Sequence, residues 1–262
     1  MKIDLIGKKA LVCGSTQGIG KATALRLAAC GASVTLVARN EDSLRLVFSE
    51  LETNDKQAHS FICADFDSSD VLINKVTDFV NKNSPIHILV NNTGGPAPAP
   101  VMDTIPAEYI DGFEKHLINN HNLAKALIPG MKTVSYGRII NIISTSVKQP
   151  IPDLGVSNTI RGAVASWAKT LAAEVGRFGI TVNNILPGFT DTARLRSLIQ
   201  NIAEKKGQSI AKVTQAMEDS VPAGRFADPY ETAAAVAFLA APQAAYINGI
   251  NLPVDGGRTQ SL

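Results

Sequence analysis

The stretch "VCGSTQGIGKA", residues 12–22, decides how the rest of the chain is read. The apolar run "KALVC" (9–13) leads into it, and the run "GKATALRLAACG" (20–31), with apolar residues at helical spacing, leads out. Between the two, Gly14, Gly18 and Gly20 permit a tight turn and a close approach of backbone to a ligand. A helix that starts straight out of such a turn presents free N–H groups and a positive dipole end, which suit a pyrophosphate. The turn residues Gly14, Ser15, Gln17, Gly18, Ile19 and Gly20 are the expected contacts. A glycine triplet alone is an ordinary loop; the flanking strand and helix carry the reading.

Working outward, short apolar runs keep alternating with longer amphipathic ones. Strands are expected at 33–38, 58–65, 86–92, 137–143, 179–186 and 250–255. Helices are expected at 41–52, 69–82, roughly 106–132, the stretch holding "VSNTIRGAVASWAK" (156–169), and 230–240. The strand runs are continuously apolar. They therefore predict a parallel sheet of about seven strands covered by helices on both faces, a Rossmann-type doubly wound α/β fold. The polar helical region 194–220 breaks the rhythm, so residues 190–225 are the expected substrate-loop region. The whole of 1–262 reads as one domain, since "GGPAPAP" (94–100) is too short for an interdomain linker.

Bulk numbers narrow the function classes. Of 262 residues 45% are hydrophobic and 18% charged, enough for a sizeable core and too apolar for disorder. The net charge of +2 comes without a basic block, so neither nucleic acid nor an anionic membrane is expected as a partner. Cys13, Cys30 and Cys63 have no metal-ligand spacing and no disulfide pattern, and His59, His87 and His121 show no metal spacing either. No metal is expected. The N-terminus shows no signal peptide or membrane span, and a cytoplasmic protein is expected.

The glycine spacing is G-x-x-x-G-x-G, not the commoner G-x-G-x-x-G. With "NNTG" (91–94), "RIINIIS" (138–144), "PGFTDT" (187–192), "GRFADPYETAAAVAFL" (224–239) and "YINGINLPVDGG" (246–257), the chain resembles a short-chain dehydrogenase/reductase. The likeness runs nearly the whole length and is nearest the branch holding 3-oxoacyl-acyl-carrier-protein reductases. It implies hydride transfer between a nicotinamide and a carbonyl or alcohol of a small-molecule substrate, and a homo-oligomer, tetramer or dimer. By resemblance Asp65 holds the adenine, Asn91 and Gly94 support the ribose side, and Pro187, Gly188 and Thr190 meet the nicotinamide. Cys13 departs from the family's usual Thr, which loosens the turn. The second strand ends "VARN": no acid precedes Arg39, and its guanidinium can fork onto a 2′-phosphate. NADP(H) is therefore the expected cofactor, with NAD(H) possible.

The resemblance also implies a catalytic Ser, a Tyr-x-x-x-Lys and an Asn. Ser144 matches the serine. Thirteen residues on, and twelve before Lys169, the tyrosine position holds Ser157; four further on, the lysine position holds Arg161, expected to clamp the cofactor ribose or to stabilise an oxyanion. An ungapped count places His116 at the asparagine position, with Asn119 and Asn120 close by. A serine is a far weaker acid than a phenol of pKa about 10 and a shorter side chain, so Ser157 does not replace the tyrosine as proton donor. Three readings stay open: a reductase in which His116 or a water held by Ser144 and Ser157 gives the proton, another reaction with the same cofactor, or a nucleotide-binding sensor or assembly partner without redox chemistry. Asp191 and Asp255 read as loop supports, and Trp167 as core or subunit interface. The Ala-rich "RGAVASWA" (161–168) suits close helix approach.

Overall fold

The computed structural model describes residues 3–261; the first two residues of the expected N-terminal reading, and the last of the chain, lie outside it. Seven strands form one parallel sheet: β1 Lys9–Cys13, β2 Ser33–Ala38, β3 Ser60–Cys63, β4 Ile88–Asn91, β5 Gly137–Ile142, β6 Ile180–Pro187 and β7 Asn251–Val254. Their order is β3-β2-β1-β4-β5-β6-β7. The helices are α1 Gly18–Ala29, α2 Glu41–Glu50, α3 Ser69–Asn83, α4 Pro106–Phe113, α5 Asn119–Thr133, α6 Gly155–Val175, α7 Ala193–Lys206, α8 Ile210–Asp219 and α9 Pro229–Ala240.

Each strand feeds two cores because successive side chains leave opposite faces of the sheet. Along β1, Ala10 and Val12 join Leu27 of α1, Leu44 of α2 and Val236 of α9, while Leu11 and Cys13 join Val76 of α3, Leu127 of α5 and Ala172 of α6. All these side chains are buried. Each Leu or Val stabilises the fold by about 1.5–3 kcal/mol relative to exposure, which is why the strand runs are apolar without alternation.

Two features differ from the sequence expectation. The long helix expected at 106–132 is interrupted by a wide π turn at Glu114–Ile118 between α4 and α5. The extra residue of such a turn shifts the helical phase, so apolar spacing alone does not show it. The expected substrate-loop region is also less polar than it reads. Leu195, Ile199 and Ala203 of α7 close on Val213 of α8, with Phe189 and Phe226 packed beside them, as a small separate core.

The chain reverses its direction of growth between β1 and β4. Loops leaving the C-terminal ends of these neighbours part in opposite directions, and the crevice between them is where ligands bind in open α/β sheets.

Candidate active site

A cleft of about 690 Å³ opens over the C-terminal ends of the strands. Its walls are the residues that follow them: Gly14 after β1, Arg39 after β2, Asp65 after β3, Gly94 after β4, Ser144 after β5 and Gly188 after β6. Eight more residues assigned from the sequence share the same walls: Gln17, Gly18, Ile19, His116, Ser157, Arg161, Pro187 and Thr190.

At one end, the turn is built from backbone. Gly14 and Gly18 hold φ of +58° and +52°, the left-handed region that glycine adopts without strain. A side chain on Gly14 would strike the Asn92 carbonyl, and one on Gly20 would strike the Gly14 carbonyl and the Asn92 amide. The start of α1 has no capping side chain and no acid in its first turn, whereas α2 has the Asn40 cap with Glu41 and Asp42 behind it. The first N–H groups of α1 are thus free for an anion.

Three sequence assignments move behind this wall. Ser15 is fully buried and its hydroxyl donates to the Val37 carbonyl (3.4 Å), tying the turn to β2. Gly20 is a packing position for the reason just given. Asn91 does not line the cleft: its amide donates to Asn141, which donates to Asn184, which donates to Asn251, each at 2.8 Å. This amide ladder crosses β4 to β7 inside the sheet. The residue that sequence reasoning missed is its neighbour. Asn92 lines the cleft and its amide donates to the carbonyls of Cys13 and Gly14, both at 3.2 Å. Cys13 itself is buried, and burial pushes its thiol well above the ordinary range.

The other end is built from side chains. Ser157 and Arg161 sit one turn apart on α6, both buried and both facing the cleft. Arg161 Nη1 donates to the Ile142 carbonyl (3.2 Å), which fixes the guanidinium against the end of β5. Burial, with Arg194 nearby, lowers its pKa to about 10. Ser144 Oγ accepts from the Ser146 N–H (3.1 Å). Ser157 Oγ has no protein hydrogen-bond partner among the described residues and is free to hold a ligand or a water.

His116 lies in the π turn and lines the cleft, with Nδ1 2.6 Å from Thr93 Oγ1. Its alternatives do not line it: Asn119 donates to the Phe66 carbonyl (2.9 Å) and Asn120 is buried. His116 is one of the proton donors expected from the sequence, and its surroundings do not suit that role. Burial first, then repulsion from Arg161, Arg194 and Lys115, holds its pKa down at about 2. At neutral pH it is an uncharged imidazole and carries no readily released proton.

Two further arginines were not singled out from sequence. Arg194, in the first turn of α7, donates to the carbonyls of Gly95 (3.0 Å) and Pro96 (3.2 Å) and clamps that loop over the cleft. Arg258, after β7, lies over the Phe189 ring at 4.1 Å. Asp191 and Asp255 hold loops in place: Asp191 pairs with Arg196 (3.0 Å), and Asp255 accepts from the N–H groups of Gly257 and Thr259 (3.1 and 2.8 Å).

A glycine turn, a free helix start and a row of hydroxyl and guanidinium groups along one crevice define a dinucleotide-dependent class of enzyme. Comparison with known proteins narrows it. Residues 14–259 match the family described as Enoyl-(Acyl carrier protein) reductase. The 3-oxoacyl-[acyl-carrier-protein] reductase of Vibrio cholerae is 36% identical over 257 residues, 97% of this chain and 98% of that one. The L-sorbose reductase of Gluconobacter frateurii, solved with NADPH and L-sorbose, superposes with a TM-score of 0.93 at 30% identity, all of both chains covered. An NADPH-dependent reductase involved in bacilysin biosynthesis superposes with a TM-score of 0.91 at 27% identity, over 97% of this chain and 99% of that one. The chain belongs to the short-chain dehydrogenase/reductase family and is an oxidoreductase. Among the described residues no helix is long and apolar enough to cross a membrane.

Proposed function

We propose that the protein is an NADP-preferring carbonyl reductase, or alcohol dehydrogenase in reverse, that works without the family's tyrosine and lysine. The observation that carries this is the convergence of Ser144, Ser157 and Arg161 on the wall of the crevice that the glycine turn enters. NADPH bound by solved relatives supports the cofactor assignment. On this reading the free N–H groups of α1 hold the pyrophosphate and Arg39, exposed at the mouth, meets the 2′-phosphate. Asp65, Gly94, Pro187, Gly188 and Thr190 complete the cofactor contacts.

A bound nicotinamide would supply hydride to the carbonyl carbon, or accept it from the alcohol. The chain's own residues handle the oxygen. Ser144 donates a hydrogen bond to it. Ser157 is too short to reach where a phenol would, and its unpartnered hydroxyl holds a water in the gap. That water passes a proton to the developing alkoxide and regains one from solvent through the open cleft. Arg161 stays protonated at neutral pH and steadies the negative charge on oxygen while the proton arrives. His116, neutral and paired with Thr93, positions the wall beside them and is not the acid. The Ala-rich face of α6 and the Trp167 region would pack against a second copy, giving a tetramer or dimer.

The test is NADPH oxidation against a panel of carbonyl compounds that includes a 3-oxoacyl thioester, beside binding of NADPH and NADH. Turnover with tighter NADPH binding is expected. Tight NADPH binding with no turnover on any member overturns the reductase reading and favours the sensor; a preference for NADH overturns the role of Arg39.

A further inference from the structure

Beside the reacting serine lies a second, smaller cavity of about 210 Å³. It shares Thr145, Ile151 and Arg258 with the main cleft, so the two meet at the residue next to Ser144. Gln149, Ser220 and Thr259 add polar groups to its wall.

The arginines of the cleft differ in what they have left to offer. Arg194 spends both terminal nitrogens on Gly95 and Pro96, and Arg161 is fixed on Ile142. The Arg258 side chain donates to no protein acceptor, and no carboxylate lies within ion-pair distance of it, among the described residues. Asp255, its nearest acid in sequence, is committed to the N–H groups of Gly257 and Thr259. The guanidinium is half-buried; burial lowers its pKa, and the Asp255 charge, though beyond ion-pair distance, offsets part of that. Stacking on Phe189 holds its plane in place. A partly desolvated guanidinium with its fork unspent is built to take a planar or tetrahedral anion at two points.

The cofactor's phosphates do not reach it. On the reading above they sit at the glycine turn and Arg39, after β1 and β2, whereas Arg258 follows β7 at the far edge of the sheet, beyond Ser144. On that reading the guanidinium of Arg258, which lines both cavities, is left to the substrate.

We propose that the substrate is a small carbonyl compound or alcohol carrying an anionic group, a carboxylate or a phosphate, and that Arg258 at the mouth of the side cavity binds that group while Ser144 and Ser157 hold the reacting oxygen. This rests on the carbonyl-reductase reading. The cavity's size and its closeness to Ser144 fit an anion a few bonds from the carbonyl, unlike a thioester on a long carrier arm.

The experiment compares 2-oxopentanoate, 4-oxopentanoate and 5-oxohexanoate with their methyl esters, in the wild type, Arg258→Gln and Arg258→Lys. The wild type is expected to favour at least one acid over its ester by about tenfold or more in kcat/KM, through KM. Arg258→Gln should lose that advantage while its NADPH affinity and melting temperature stay put, and Arg258→Lys should restore part of it. Equal use of acid and ester, turnover confined to neutral carbonyls, or an advantage that survives Arg258→Gln overturns the proposal. Should no carbonyl turn over, the reductase reading fails separately. Calorimetric titration of glutarate into the NADP-loaded protein then decides the subsite. Binding lost in Arg258→Gln supports it, and no binding to the wild type overturns it.

Discussion

The two ends of the cleft are made of different material. The nucleotide end is backbone: three glycines, a helix start without a cap, and an asparagine that braces the turn. The reacting end is side chains, drawn from the loops after β4, β5 and β7, from the π turn, and from α6 and α7. At Gly14 and Gly20 the backbone tolerates no exchange, because a single added Cβ collides with a carbonyl. A side chain on α6 or α7 can be exchanged while the glycine turn at the other end keeps its backbone geometry. The same fold can therefore keep its cofactor crevice while the groups that face the substrate change.

The comparison is broken most severely by placing one methyl group at each end. Gly20→Ala drives a Cβ into the Gly14 carbonyl and should weaken NADPH binding by about 100-fold or more, with a clear loss of stability. Gly162→Ala, on α6 beside Arg161, meets nothing within 4 Å in its own chain and should leave NADPH binding unchanged; alanine favours a helix interior by about 0.5–1 kcal/mol, a gain that close packing of α6 on a second copy would offset. Fluorescence titration with NADPH and thermal melting of both variants check this. Equal effects at the two positions would remove the distinction between the ends.

The next effect belongs to the reacting end alone. Arg161→Met keeps much of the side chain's bulk on α6 and removes the charge beside Ser157. Turnover should fall by about 100-fold, the scale of losing one group that stabilises developing charge. NADPH affinity should change by less than about tenfold, because the glycine turn and Arg39 lie elsewhere in the cleft. Arg161→Lys should recover part of kcat. A loss seen wholly in NADPH binding would make Arg161 a cofactor clamp and leave the oxyanion to other groups.

The same division governs what could be read from sequence. The seven strands and the cleft were legible because apolar runs and glycine spacing are one-dimensional records of sheet burial and turn geometry. Ser144, Ser157 and Arg161 were found by counting from such fixed points, and they do share a wall. The π turn was not legible, since one extra residue inside a helix leaves the apolar pattern on either side intact. Asn91 and Asn92 are adjacent and chemically identical; only the pleat decides which one enters the amide ladder and which braces the turn. Arg194 and Arg258 read as solvated charges in polar runs, because the carbonyls and the ring that hold them come from distant segments.

The smallest effect tests the environment of His116 without any substrate. Its folded pKa of about 2 lies below the ordinary value of 6.5, so the unfolded chain binds a proton that the folded chain refuses. Stability from this group is complete above about pH 6.5 and is lost as the pH falls through the range down to about 2. At about pH 5 the loss is about 2 kcal/mol, from about 1.5 units at 1.36 kcal/mol each. His87 behaves alike: burial and the charges of Lys8 and Lys9 hold it at about 4, and its Nδ1 accepts from the Lys9 N–H (3.0 Å). The wild type should therefore lose stability twice over between neutral pH and about pH 5, and His116→Gln only once. The melting-temperature advantage of wild type over His116→Gln should shrink by about 4–8 °C across that interval. Parallel melting curves would mean that His116 protonates in the folded protein near its ordinary value, and would return it to the reacting end as a candidate acid.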